Sequence, residues 1–143
     1  MQLQKAVMDG LYLYNQSEEY RLRTLAEFNT YCVYPILHSR IKIYYQNEKP
    51  VGLVTWIWLT NEEAALFEDG EWEPTEEAWK RTESDQFWGV DFIAPFGSGQ
   101  TLVKYMMKDT FRHATSHVDK RYKTHWLRPA RREQRYTRDL NNG

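Results

Sequence analysis

Residues 41–59 read IKIYYQNEKPVGLVTWIWL, and this stretch decides the fold. IKIYY and VGLVTWIWL have strand character, and the turn-forming QNEKP between them predicts an antiparallel hairpin. The second strand is almost continuously apolar and aromatic, which predicts burial on both faces at the centre of a sheet.

Upstream the apolar spacing is helical. Leu3, Val7, Leu11 and Tyr14 predict an amphipathic helix interrupted near Gly10. Ser17 reads as an N-cap for a second helix running from Tyr20 to Leu37, with Leu22, Leu25, Phe28, Cys32, Val33 and Ile36 inward and Pro35 ending or kinking it. Downstream, Thr60 and Glu63 form a capping-box pattern that starts a short helix ending at Gly70, and another short helix spans Thr75 to Arg81. FWGVDFIA returns to strand, and Gln100 to Phe111 is helical with Leu102, Tyr105, Met106 and Phe111 as core candidates. From His113 onward the pattern weakens to one or two strands and a basic end. The expected architecture is α+β (mixed α/β), a mostly antiparallel sheet flanked by helices, with one domain over residues 1–127 and a basic, flexible tail over 128–143.

Composition bounds the function. Hydrophobic residues are 41% and aromatics 15%, with 6 Trp and 10 Tyr, enough for a core without disulfides or metals. The single cysteine, Cys32, has no partner for an internal disulfide, no metal-ligand spacing is present, and neither a signal peptide nor a membrane-length apolar run is found. A cytoplasmic protein without a bound cofactor is expected. The net charge of -1 hides an acidic stretch over Asn61–Asp85 and a basic one over Lys120–Arg138.

The chemistry concentrates in WGVDFIAPFGSGQTL, residues 88–102. Asp91 interrupts an apolar strand. Such a carboxylate bonds a partner, bonds backbone amides at the strand end, or sits in a low-dielectric site where it can act as a base. Gly97, Ser98 and Gly99 open a helix whose first backbone N–H groups suit a phosphate, although short Gly-Ser turns are common and the pattern is neither a P-loop nor a dinucleotide fingerprint.

WGVDFIAPFG resembles the signature of the RTX-toxin-activating lysine acyltransferases, small bacterial cytoplasmic proteins in which a W-x-x-D strand runs into APFG. LYLYNQS, the Pro35–Ile36 pair, KPVGLVTWIWLTNEE and the Trp79 helix match that family in order, over residues 8 to 112. The resemblance implies a GNAT-like fold, acyl carrier protein with its phosphopantetheine thioester as donor, and transfer of a fatty acyl group to lysines of a partner protein. It places the family's aspartate on Asp91. The histidine of its S-x-x-H-R motif falls on Tyr20 in SEEYR, between Ser17 and Arg21. An unperturbed Tyr, near pKa 10, is already protonated at neutral pH and is a poor base where His is a good one. Two readings stay open. Tyr20 acts as a general acid with Asp91 as base and Ser17 as a hydrogen-bond partner, or the chain is a pseudoenzyme that binds or inhibits a protein or nucleic acid. His38 at an element boundary is a minor candidate, and His113, His117 and His125 form no metal pattern. The basic, aromatic tail suits nucleic-acid phosphates or, as the resemblance implies, an acidic carrier protein. Relatives form homodimers, which adds that state to the expectations.

Overall fold

The computed structural model describes residues 2–96 and 99–126. Strands β1 (Ile41–Gln46) and β2 (Lys49–Leu59) form the expected hairpin, closed at Gln46 and Lys49. Asn47 and Glu48 between them both have positive φ, 53° and 68°, the backbone that a two-residue hairpin turn needs to match strand twist. β3 (Gln86–Ile93) pairs antiparallel with β2, and β4 (Thr124–Trp126) pairs parallel with β3, giving a sheet ordered β1-β2-β3-β4. β2 is central, and its residues from Val51 to Leu59 are all buried, as its unbroken apolar sequence predicts.

Alternation along β2 separates the two faces. Leu53, Ile57 and Leu59 face helices α1 (Leu3–Gln16), α2 (Leu25–Phe28), α3 (Tyr34–Leu37), α4 (Asn61–Glu68) and α5 (Glu76–Lys80). Trp56 and Trp58 face α6 (Gly99–Thr115), whose Ala114 and Phe111 pack there with Phe87. The α+β expectation holds.

The helices depart from their sequence pattern in four places. α1 runs unbroken through Gly10, which is buried so close to Cys32 that a Cβ there would lie 2.8 Å from its Sγ. The second helix is divided: Tyr20–Leu22 is one 3-10 turn, Arg23 is extended at φ -67° and ψ 144°, and α2 starts afresh behind a Thr24–Glu27 capping box. That break turns two expected core residues outward, leaving Leu22 74% and Leu25 84% exposed. Before Pro35 the chain forms a π turn over Asn29–Val33 and then continues into α3. The widened turn accommodates a ring that has no N–H and would crowd the Tyr31 carbonyl of a regular helix. Tyr105, an expected core residue, is exposed on α6, whereas Met106 is fully buried beside Gly52. No helix among the described residues is long and apolar enough to cross a membrane.

Candidate active site

The site begins with an irregularity in β3. Val54 pairs with Phe92 and Trp56 with Gly89, so Val90 and Asp91 together oppose the single residue Thr55. This β-bulge resets the strand's alternation. Trp88 and Val90 point into the helical layer, and after the bulge Asp91 and Ile93 point there too. In a regular strand Asp91 would face α6. The Asp91 backbone N–H donates to Thr55 Oγ1 at 3.0 Å, which satisfies a buried amide and pins the bulge.

Asp91 meets two residues that the broken second helix presents. Arg23, extended between the 3-10 turn and α2, reaches inward and grips the carboxylate with both arms: Nη1 donates to Oδ2 at 2.7 Å and Nη2 to Oδ1 at 3.0 Å. Only 8% of the Arg23 side chain and 2% of the Asp91 side chain are exposed. A buried carboxylate is tolerable with such a bidentate, charge-assisted partner. The Tyr20 hydroxyl donates to Asp91 Oδ1 at 3.3 Å, across 71 residues of sequence. The guanidinium carbon lies 4.7 Å, 4.6 Å and 5.7 Å from the ring centres of Tyr20, Tyr31 and Tyr14, and Nη1 also donates to the Tyr14 hydroxyl at 2.7 Å. A ring of tyrosine faces thus holds the cation through cation–π attraction.

Burial, opposed by the positive Arg23, pushes the Tyr14 phenol well above its ordinary pKa. Burial, with the Asp91 charge adding to it, raises the Cys32 thiol to about 12. Neither is a base or nucleophile at neutral pH. Above this floor opens a cleft of about 150 Å³ lined by Leu11, Tyr14, Asn15, Tyr20, Arg21 and Arg23, among others.

The three side chains expected to carry chemistry fall unequally. Asp91 and Tyr20 are brought together. Ser17 reaches only the Tyr20 backbone, whose N–H donates to its Oγ at 3.3 Å, so it positions that residue's main chain. Of the expected donor-binding turn, Gly97 and Ser98 lie outside the described residues, and Gly99 is the first residue of α6.

The four histidines are engaged elsewhere. His38 Nε2 is 2.9 Å from Glu76 Oε2, His117 Nε2 is 2.5 Å from the Thr82 carbonyl, His113 stacks edge-on to Trp56, and His125 lies flat on Trp88. Among the described residues no group of three His, Cys, Asp or Glu side chains could hold a metal ion.

The residue that sequence reasoning missed is Arg23. SEEYRLRTL contains two arginines. The motif points to Arg21, which is exposed at the cleft wall, whereas Arg23 is the one that turns in. The signal that would have found it is Thr24-x-x-Glu27, a capping box that starts a helix at residue 25 and so frees Arg23 from helical geometry.

The profile of the RTX toxin acyltransferase family matches residues 2–138. The chain belongs to that family. Membership implies acyl transfer, with an RTX toxin, a protein, as the substrate. No curated protein matches the chain in sequence. Within this member of the RTX toxin acyltransferases, Tyr20 and Arg23 line the cleft and both bond the buried Asp91 behind it.

Proposed function

We propose that the chain is a protein-lysine acyltransferase on a GNAT-like scaffold that takes a fatty acyl group from the phosphopantetheine thioester of acyl carrier protein. The observation that carries this reading is the meeting of the two motif positions, although 71 residues separate them: Tyr20 lines the cleft and its hydroxyl donates to the buried Asp91 behind it. Tyr20 is the proton donor of the site. The neutral lysine amine attacks the thioester carbonyl, a C–N bond forms, and the C–S bond breaks with its electron pair on sulfur. The departing thiolate takes the Tyr20 hydroxyl proton, and the new ammonium returns a proton to the phenolate, so the tyrosine is regenerated. Arg23, 4.7 Å from the Tyr20 ring, supports the transient phenolate. Both Asp91 oxygens already accept from Arg23, so in this scheme Asp91 holds Arg23 and the Tyr20 hydroxyl in place.

That last fact favours one other reading, a catalytically silent relative that binds the carrier or the acceptor, since no histidine stands at Asp91 to take the lysine's proton. The basic tail keeps nucleic acid as a further partner of that silent form. Transfer of a labelled acyl group from acyl carrier protein separates the two. Wild-type transfer that falls about a hundredfold or more in Tyr20→Phe, the scale of a lost general acid, supports the enzyme. Carrier binding without transfer supports the silent form.

A further inference from the structure

We propose that Arg23 is a positioning residue whose partnership with Asp91 makes positions 20 and 23 one functional unit, so that a histidine at position 20 can work as the family motif implies only when Arg23 is absent. The inference rests on the reading of this cluster as the family's reaction site.

The Tyr20 hydroxyl reaches Asp91 Oδ1, so an imidazole at position 20, whose ring stops short of that hydroxyl, would point at the same carboxylate from farther away. A catalytic imidazole needs such a carboxylate twice, to hold its tautomer and to stabilise the imidazolium formed when it takes a proton. Here Asp91 already faces a full positive charge through two hydrogen bonds of 2.7 Å and 3.0 Å. That charge also lies 4.7 Å from the ring at position 20, in a water-poor setting where two cations repel strongly. Protonating an imidazole there would put a second cation beside a guanidinium that never gives up its proton.

The remaining groups offer no relief. From α1 comes Tyr14, held neutral. From the π turn come Tyr31 and the neutral thiol of Cys32, and Arg21 at the cleft wall adds another positive charge. Asp91 from β3 is the single anion in this group. The residue at position 20 therefore follows from the residue at 23: with arginine there, a neutral hydroxyl is accommodated and a titrating base is not.

The test compares Tyr20→His with Tyr20→His/Arg23→Met. Magnetic-resonance titration of the introduced imidazole reads its protonation, its signal being the one added to the four histidines of the wild type. We expect its midpoint to rise by at least about one pH unit in the double variant, a tenfold change in proton affinity. Acyl transfer should be at least about tenfold faster in the double variant than in Tyr20→His. An ion pair that only held the fold would not make transfer faster when its cation is removed, even though the midpoint would still rise.

Equal midpoints in the two variants overturn the proposal, as does transfer by Tyr20→His that equals the double variant's. A raised midpoint with no transfer from any variant keeps the coupling between positions 20 and 23 and removes the acyl-transfer reading instead. Thermal unfolding establishes that each variant is folded. Should the Met variant not fold, Arg23→Gln, neutral yet still able to donate to Asp91, is read the same way.

Discussion

The two halves of β3 are built differently, and the difference locates the chemistry. Its first half, Gln86 to Gly89, has a strand on each edge: β2 on one side and β4, through Phe87, Trp88 and Gly89, on the other. Its second half, Val90 to Ile93, pairs only with β2 among the described strands and begins with the bulge that turns Asp91 into the helical layer. An arginine–carboxylate pair stands near each half. Arg81 and Glu63 make a two-armed pair beside the β2 end that faces Gln86, with 31% and 19% of their side chains exposed, and Glu63 also completes the Thr60 capping box. Arg23 and Asp91 make the same chemical pair in near-complete burial, with no cap to support and with tyrosines around it. A partly exposed pair that closes a helix cap is accounted for by structure. The one placed under a cleft by a bulge and a helix break points to function.

The sharpest way to break this contrast is Asp91→Ala. It leaves the Arg23 cation buried without its carboxylate, and loss of one partner of a buried pair costs about 3–5 kcal/mol. Denaturant unfolding should show a loss of that size. Removing both charges with Arg23→Met/Asp91→Asn should recover much of it, and a double variant no more stable than Asp91→Ala would sink the claim that the loss comes from the orphaned charge.

Next in size is Gly89→Ala, which probes the first half. A Cβ at Gly89 would lie on the Trp126 indole, so the strand edge and the ring cannot both stay in place. Overpacking of this kind costs about 1–3 kcal/mol. β4 should detach before the rest of the sheet, and hydrogen exchange at Thr124–Trp126 should quicken while the amide of Asp91 stays protected. Unchanged exchange at β4 would mean that this strand does not need the glycine.

Thr55→Val follows. It keeps the shape of the bulged site and removes the acceptor of the Asp91 amide, leaving a buried N–H unsatisfied at a cost of about 1–3 kcal/mol. The informative readout is the ratio of effects: acyl transfer should fall by more than stability alone explains, because a relaxed bulge re-aims Asp91. A variant that loses stability yet keeps wild-type transfer would separate the bulge from the site.

How much of this was legible in the residues follows the same division. The hairpin, the central burial of β2, the Thr60 cap and the strand around Asp91 were all readable, because local pattern and tertiary environment agree there. Leu22 and Leu25 misled for the opposite reason. Their helical spacing is real, but the chain breaks at Arg23 to deliver a guanidinium inward, and the apolar residues beside it turn out. The bulge was invisible, since a one-residue insertion against β2 leaves WGVDFI an unremarkable strand until the partner's register is known. Asp91 and Tyr20 could be picked out by resemblance. What joins them is signalled only by the Thr24-x-x-Glu27 capping box, because Arg23 lies outside the motif and no periodicity encodes its extended conformation.

The smallest expected effect tests the structural pair by pH. Burial raises the Glu63 pKa, but hydrogen bonds from Arg81 and from the Thr60 backbone outweigh it, and the net value lies below the ordinary 4.5. A carboxylate depressed in the folded state contributes stability that is complete above its unfolded value and is lost as pH falls through the folded one. The advantage of wild type over Glu63→Gln should therefore be constant from neutral pH down to about 4.5 and shrink below it. Its size should be under about 1 kcal/mol, since this partly exposed pair is screened by water. Denaturation midpoints measured across that range decide the matter. An advantage that persists undiminished far below pH 4.5 would mean that shape rather than charge fixes Glu63, and the two arginine–carboxylate pairs would then differ in kind as well as in burial.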